Sequence, residues 1–265
     1  MTVAPPNMGV IIAVANQKGG VGKTTTAANL GASLATRGKR VLLVDMDPQG
    51  NLTAAFGQGT RDGPTIADAL LDRKVGLPIV SVRERNAPQL GAPQLDLVPA
   101  TLELATAEAA LMNKLGRELR LRDQLGTVVD QYDFVLIDTP PSLGLLTINA
   151  LVAAHKVIVP TEARFFSLQG LQMLQASIEE ILYLNPRLQL LGIVLSKFDR
   201  RLKEERTVST YLRQHWGELV FQTEIGSNSK ILEAASVGVS IFSYAGAERA
   251  VGAYRELAEE VAARV

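Results

Sequence analysis

The sequence predicts an α/β fold, a mostly parallel twisted sheet with helices on both faces. Helical and strand periods alternate from end to end of the 265 residues, the pattern left by repeated β-α-β units. The apolar runs "VIIAVAN" (10–16), "KRVLLVDMD" (39–47) and "YDFVLIDTPPS" (132–142) read as strands buried on both faces and ending in turns. The first of them leads into a Gly-rich turn that opens a helix, a strand–loop–helix order suited to binding anions.

The elements follow in order. After strand 10–16, "KTTTAANLGASLATRG" (23–38) is a helix closed by Gly38, and 39–47 is the second strand. Residues 48–64, rich in Gly, Gln, Asn and Thr, read as a long surface loop, and "TIADALL" (65–71) as a short helix. Scattered Pro and Gly make 75–94 irregular, and "LDLVPA" (95–100) is a short strand. The Leu/Ala pattern from Leu102 to Asp130 is helical, with a break near Asn113 or Gly116. Strand 132–142 is followed by a helix near 143–154, strand 156–162, helix 167–184 and strand 188–199. The last third reads as helix 205–216, strand 219–225, helix 229–236, a short strand "SIFSY" (240–244) and helix 247–264. No internal repeat or linker interrupts this series. A single domain over 1–265 is expected, with 1–9 as a flexible tail.

Composition narrows the function classes. A hydrophobic fraction of 47% supplies a large core. The chain has no cysteine, which excludes disulfides and thiolate-ligated zinc or iron–sulfur centres and suits a reducing cytoplasm. "MTVAPPNMG" lacks the cationic and apolar regions of a secretory signal. No apolar run approaches the roughly 18 residues of a membrane span. Lys plus Arg equals Asp plus Glu at 27 each, so any binding to nucleic acid must use a local patch rather than bulk charge.

"NQKGGVGKTTT" (16–26) resembles a Walker A loop, G-x-x-x-x-G-K-[ST], yet it has Gln17 where the first glycine belongs and adds Lys18. Gly19, Gly20 and Gly22 permit left-handed backbone angles, so that successive N–H groups, including that of Val21, can converge on one anion. Lys23 is placed to reach the β- and γ-phosphates, the Thr24 hydroxyl to ligate Mg²⁺ and Thr25 to donate to the α-phosphate. Asp138 ends a buried strand at the carboxyl edge where open α/β sheets bind ligands, and there it can hold a metal-bound water. Asp45 and Asp47 are two apart in a strand and so share a face. Both could point at the phosphates, or one could merely cap the loop or bind backbone amides.

"KGGVGKTT", "VDMDPQGN" and "LIDTPPS", in this order, resemble the ParA/Soj family of chromosome and plasmid partitioning ATPases. That family belongs to the deviant-Walker-A group of P-loop NTPases, with MinD and the nitrogenase iron protein as relatives. The likeness runs from Val10 to the last helix, and "DPQGN" with the "SKFD…EA" pattern favours the ParA branch. The resemblance implies ATP and Mg²⁺ as cofactors and slow intrinsic hydrolysis. It implies that Lys18 crosses a homodimer interface to the nucleotide of the other subunit, as an arginine finger would. Asp47 would orient the attacking water and, with Thr24 and Asp138, support the metal. The following loop, with Gln49 and Asn51, would sense the γ-phosphate. Adenine contacts fall by fold position to helix 229–236.

The resemblance further implies non-specific binding of double-stranded DNA by the ATP dimer and location in the cytoplasm on the nucleoid. Residues 197–230 hold seven basic residues against five acids, an excess that a dimer doubles. Matching to the family places the DNA-contacting cations at Arg201 and Lys230. The chain departs from the usual pattern at Leu202, Gly226 and Ser227, which leaves Arg200 and Arg206 as rivals. About nine residues precede the first strand, so a helix-turn-helix is not expected, and a ParB-type partner would recognise the centromere and stimulate hydrolysis. A MinD-like membrane ATPase is the alternative. It needs a basic amphipathic C-terminal helix, whereas "AYRELAEEVAARV" carries three Glu against two Arg. Absence of cysteine excludes an iron-protein-like reductase, and a carboxylate-activating synthetase would need a larger insertion than 75–94.

Overall fold

The computed structural model describes residues 9–58, 63–82, 94–164 and 174–265. Among these, eight strands form one sheet in the order β3-β4-β2-β5-β1-β6-β7-β8. They are β1 (Val10–Val14), β2 (Val41–Asp45), β3 (Val80–Ser81), β4 (Leu95–Val98), β5 (Phe134–Asp138), β6 (Lys156–Thr161), β7 (Gln189–Phe198) and β8 (Val220–Gly226). All pairings are parallel except the short edge pair of β3 with β4. The helices are α1 (Lys23–Thr36), α2 (Asn51–Ala55), α3 (Ile66–Leu71), α4 (Glu103–Leu111), α5 (Arg120–Leu125) and α6 (Leu145–Ala153). They continue with α7 (described over 174–181), α8 (Lys203–Trp216), α9 (Ser229–Ser236) and α10 (Glu248–Arg264).

Period-two alternation along the central strands divides the core into two layers. Ile11, Ala13, Leu42, Val44, Val135 and Ile137 face Leu70 of α3, Leu104 of α4, Leu121 of α5, Leu146 of α6 and Leu212 of α8. Ile12, Val14, Leu43 and Leu136 face Leu30 and Leu34 of α1, Ile231 of α9 and Tyr254 and Leu257 of α10. Each fully buried aliphatic side chain contributes about 1.5–3 kcal/mol. At Gly31 the approach of α1 to the sheet leaves no room for a β-carbon, which would lie 2.6 Å from the Leu43 side chain.

The predicted α/β class and helices on both faces are observed, with three differences in detail. The expected loop 48–64 contains α2, which has little helical signal in five residues and is held from a distance by Asp45. The expected strand 240–244 is instead a 3₁₀ turn over Ile241–Ser243. Ile241 donates its N–H to the Asn29 side chain, so the backbone is satisfied without a sheet. The break expected near Asn113 or Gly116 is observed: the segment 102–130 divides into α4, a 3₁₀ turn and α5, with Gly116 in the left-handed region at φ 62°. Finally, the irregular stretch 75–94 supplies the two-residue edge strand β3. Residues 1–8 of the expected tail, 59–62 of the expected loop, 83–93 of that irregular stretch and 167–173 of the expected helix 167–184 lie outside the described residues. Gly9, the last residue of the expected tail, is buried.

One sheet contact depends on a histidine. His155 Nδ1 accepts the Ile11 N–H at 3.1 Å, so its ring must be neutral at that nitrogen. Burial, Lys156 and Arg187 all lower its pKa from the ordinary value. A base with a lowered folded pKa contributes stability that is full above the unfolded value of about 6.5 and is lost as pH falls below it. His155→Asn, which keeps an acceptor that cannot be protonated, should therefore lose less stability than the wild type between pH 7.5 and 5.5. Urea midpoints at the two pH values measure this, and equal losses would remove His155 from the pH response.

Candidate functional site

The parallel register aligns three strand ends. Val14 of β1 pairs with Asp138 of β5, and Asp138 pairs with Asp45 of β2. The chain leaves β1 through Asn16, whose Nδ2 donates to Pro160 O and whose Oδ1 accepts the Lys18 N–H. The loop then turns at Gly20 (φ 76°) and Gly22 (φ 87°), angles that an L side chain resists, and α1 begins at Lys23. The loop expected to form the cradle thus bends over the β1 edge, at the positive end of α1.

Gly19, Gly20, Gly22, Lys23, Thr24 and Thr25 line a cavity of about 590 Å³ together with Asp47, Gln49 and Asn51. Phe56, Val239 and the α9 residues Ile231, Leu232 and Ala235 add apolar lining. The lining thus combines groups suited to phosphates with apolar side chains suited to a flat ring. Val21 is buried, so only its backbone serves the loop. Lys18 stands at the rim with its side chain 41% exposed, 3.5 Å from Glu162.

Lys23 is buried, and its Nζ donates to the Lys18 carbonyl at 3.3 Å. Burial lowers its pKa, opposed by the charges of Asp138 and Asp47. Asp138 is fully buried, and neither carboxylate oxygen has a hydrogen-bond partner. Burial, then the neighbouring Asp45, raises its pKa well above the carboxylate range. Lys23 and the Thr24 hydroxyl oppose that rise, although Thr24 does not meet hydrogen-bond geometry. Buried polar atoms are ordinarily paired, so this orphan carboxylate beside Lys23 and Thr24 fits a cation or its water. Among the described residues, no group of three or more His, Asp or Glu forms a metal cage by itself. A metal here would need ligand oxygens from its substrate.

The two aspartates of β2 and its turn separate in role. The strand stops at Asp45, whose Oδ2 accepts the Thr53 N–H and hydroxyl and whose Oδ1 accepts the Asp47 N–H. Burial pushes its pKa up to about 6 against these donors. Asp45 thus holds the α2 turn and does not face the phosphates, the second of the two sequence alternatives. Asp47 lies beyond the strand, accepts the Gln49 N–H with Oδ1 and borders the cavity.

The predicted DNA cations surround the C-terminal ends of β7 and β8. Arg200, Arg201 and Arg249 line a second cavity of about 460 Å³ with Asp199, Glu224 and Asn228. Arg200 pairs with Glu224, Arg201 with Asp199 and Lys230 with Glu233, each at 2.7 Å. Arg201 holds the Asp199 carboxyl down to about 2. Arg206 is engaged differently, donating to the carbonyls of Arg200 and Arg201 and so fixing their turn. Arg249 enters this group only through the fold, being far off in sequence. Ser196, Lys197 and Glu162, which touch the loop or its lysines, were also missed. Ser196 and Lys197 do open the "SKFD" pattern, whereas the one sequence signal of Glu162 is a polar residue at the end of an apolar strand.

Comparison with known proteins agrees with this geometry. Residues 9–190 match the model of a family described as "AAA domain". The chromosome-partitioning ATPase Soj of Thermus thermophilus is 46% identical over 256 residues, 96% of this chain and 96% of that protein. The chromosome partitioning protein ParA of Caulobacter vibrioides is 42% identical over 262 residues, 96% of this chain and 94% of that protein. A crystal structure of a cobyrinic acid a,c-diamide synthase from Mycobacterium smegmatis, with bound ADP and magnesium, superposes with a TM-score of 0.79. It is 35% identical and covers 95% of this chain and 93% of its own. With fold, loop and full-length similarity in agreement, the chain belongs to the ParA/Soj family of chromosome-partitioning ATPases.

Proposed function

We propose that the chain acts over 1–265 as one partitioning ATPase. It binds ATP with Mg²⁺ at the loop 18–25, pairs with a second copy, holds DNA without sequence preference in that state, and releases it on hydrolysis. The observation that carries the nucleotide assignment is the buried, unpartnered Asp138 carboxylate beside Lys23 and Thr24, beneath loop amides at a helix N-terminus. Thr24 and, through water, Asp138 would hold Mg²⁺, with Asp47 nearby. Bound there, the ion neutralises charge on the phosphates. Lys23 exchanges its weak contact with the Lys18 carbonyl for phosphate oxygens, and Asp47 orients the attacking water. Gln49 and Asn51, on the same wall, are placed to sense the terminal phosphate, and the α9 wall to take the adenine.

Lys18 is the group offered to a partner subunit. Its pair with Glu162 is partly exposed, a type of ion pair that contributes about 0–1 kcal/mol, so a triphosphate on a second copy can take the lysine over. A cation supplied in this way stabilises charge developing on the transferred phosphoryl group. Slow turnover of the lone chain follows, because the reaction depends on groups that only pairing assembles.

DNA is assigned to the patch of Arg200, Arg201, Arg206, Lys230 and Arg249. Three of these already have acid partners, so one copy offers little net charge, and a dimer doubles it. The side chains of Arg200 and Arg201 face solvent more than their acids do, and that of Lys230 is half-exposed. DNA phosphates can therefore compete for all three, and such contacts are additive and salt-dependent. A ParB-type protein would supply sequence recognition and stimulate hydrolysis, in a cytoplasmic, nucleoid-associated setting. No helix among the described residues is long and apolar enough to cross a membrane. The acidic face of α10, with Glu256, Glu259 and Glu260, gives the MinD-like alternative no support.

Lys23→Ala should weaken ATP binding at least tenfold, since a hydrogen bond to a charged group contributes about 1.5–3 kcal/mol. Titration with ATP reads this, and unchanged affinity would contradict the cradle. Asp47→Ala should keep ATP binding but slow hydrolysis by about a hundredfold or more, the scale of general-base positioning. Phosphate release at wild-type rate would exclude the role. Charge reversal at Arg201, Lys230 or Arg249 should lower DNA retention, and each lost phosphate contact should remove about 0.9 from the salt slope of log K. Turnover without DNA should survive these changes. Retention unaffected by all three would place the DNA surface elsewhere.

A further inference from the structure

We propose that Ser196 and Lys197, at the C-terminal end of β7, are positioning residues that hold the phosphate loop with its amides turned toward the nucleotide. The inference rests on the reading of loop 18–25 as a phosphate cradle and deepens it. Ser196 Oγ donates to the Val21 carbonyl at 2.6 Å, and Lys197 Nζ donates to the Gly20 carbonyl at 2.5 Å. Two successive carbonyls of the loop are therefore held from one neighbouring strand.

Peptide geometry gives this clasp its consequence. No cis peptide occurs among the described residues, and in a trans peptide the C=O and the following N–H point in opposite directions. Fixing the Gly20 and Val21 carbonyls toward β7 sends the N–H groups of Val21 and Gly22 the other way. Those amides are among the donors that an anion cradle needs. Contact between strand and loop is close, since a β-carbon at Gly22 would lie 3.7 Å from the Ser196 β-carbon.

Lys197 bears the mark of a residue held for a purpose. Among the described residues it is the one non-glycine with positive φ, at 53°. Such a conformation persists only where the surroundings over-determine it, and it concentrates at functional sites. Here Ser227 Oγ donates to the Lys197 carbonyl, and Glu162 Oε1 stands 3.3 Å from its ammonium. The other oxygen of Glu162 stands 3.5 Å from Lys18. One carboxylate thus anchors both the lysine that shapes the loop and the lysine offered to a partner subunit.

The test is calorimetric titration of Mg-ATP and Mg-ADP into the wild type, Lys197→Met, Lys197→Arg and Ser196→Ala, with melting temperatures taken without nucleotide. Lys197→Met should weaken both nucleotides alike by about tenfold, the effect of one charge-assisted hydrogen bond. Ser196→Ala should weaken both by less. Arginine at 197, which can still donate to the carbonyl and pair with Glu162, should restore most of the affinity, while melting stays near that of the wild type. Unchanged affinity in Lys197→Met, or a fall in melting temperature with no loss of affinity, would overturn the proposal. Loss confined to ATP would also overturn it, by marking Lys197 as a direct γ-phosphate ligand. A wild type that binds neither nucleotide would instead defeat the cradle reading beneath it.

Discussion

The site depends on parallel pairing that sets Val14, Asp138 and Asp45 side by side. Parallel strands all end at the same edge, so one register delivers the phosphate loop from β1, a buried carboxylate from β5 and the α2 turn from β2. A slip of one residue along β5 would put Asp138 on the other face of the sheet, against the apolar side chains of α3 to α6. Because both faces of β5 are buried, such a slip would set the Asp138 carboxylate among apolar side chains without partners, which is costly. The core thus fixes the chemistry before any ligand arrives.

Charge at this edge is arranged in two tiers. Lys23, Asp45, Asp47 and Asp138 are buried, and burial, with neighbouring carboxylates adding to it, raises the pKa of Asp45 and Asp138. Above them Lys18, Lys197 and Arg164 share the single carboxylate Glu162 in partly exposed contacts of 3.3–3.5 Å. The lower tier is rigid and suited to holding an ion and a triphosphate. In the upper tier the Lys18 pair is weak and exchangeable, which suits a group offered to a second subunit, while Lys197 is also held through its backbone carbonyl by Ser227.

Much of this was legible from residue order because it is local. Gly20, Gly22 and Lys23 lie within one turn, and the β-branched runs that end in Asp45 and Asp138 carry their own strand signal. What escaped was set by distant contacts. The α2 helix forms because Asp45, six residues before it begins, binds Thr53. The segment 240–244 has strand propensity, yet Asn29 of α1 takes its free N–H and leaves it a turn. Asp45 and Asp47 looked alike by spacing, but β2 ends between them and gives one to the fold and the other to the cavity. Glu162 carries no motif and Lys197 only the family pattern "SKFD", which says nothing of the loop; the sheet order β1-β6-β7 brings both to it. Arg249 likewise joins the basic cavity through packing of α10 against β8.

The central claim is that Lys18 leaves Glu162 for a triphosphate bound to another copy of the chain. Sedimentation equilibrium across a concentration series, with a non-hydrolysable ATP analogue or with ADP, tests it most directly. The account predicts dimers with the analogue, monomers with ADP, and monomers with either for Lys18→Ala although the analogue still binds. A wild type that remains monomeric at every concentration while saturated with the analogue would contradict it.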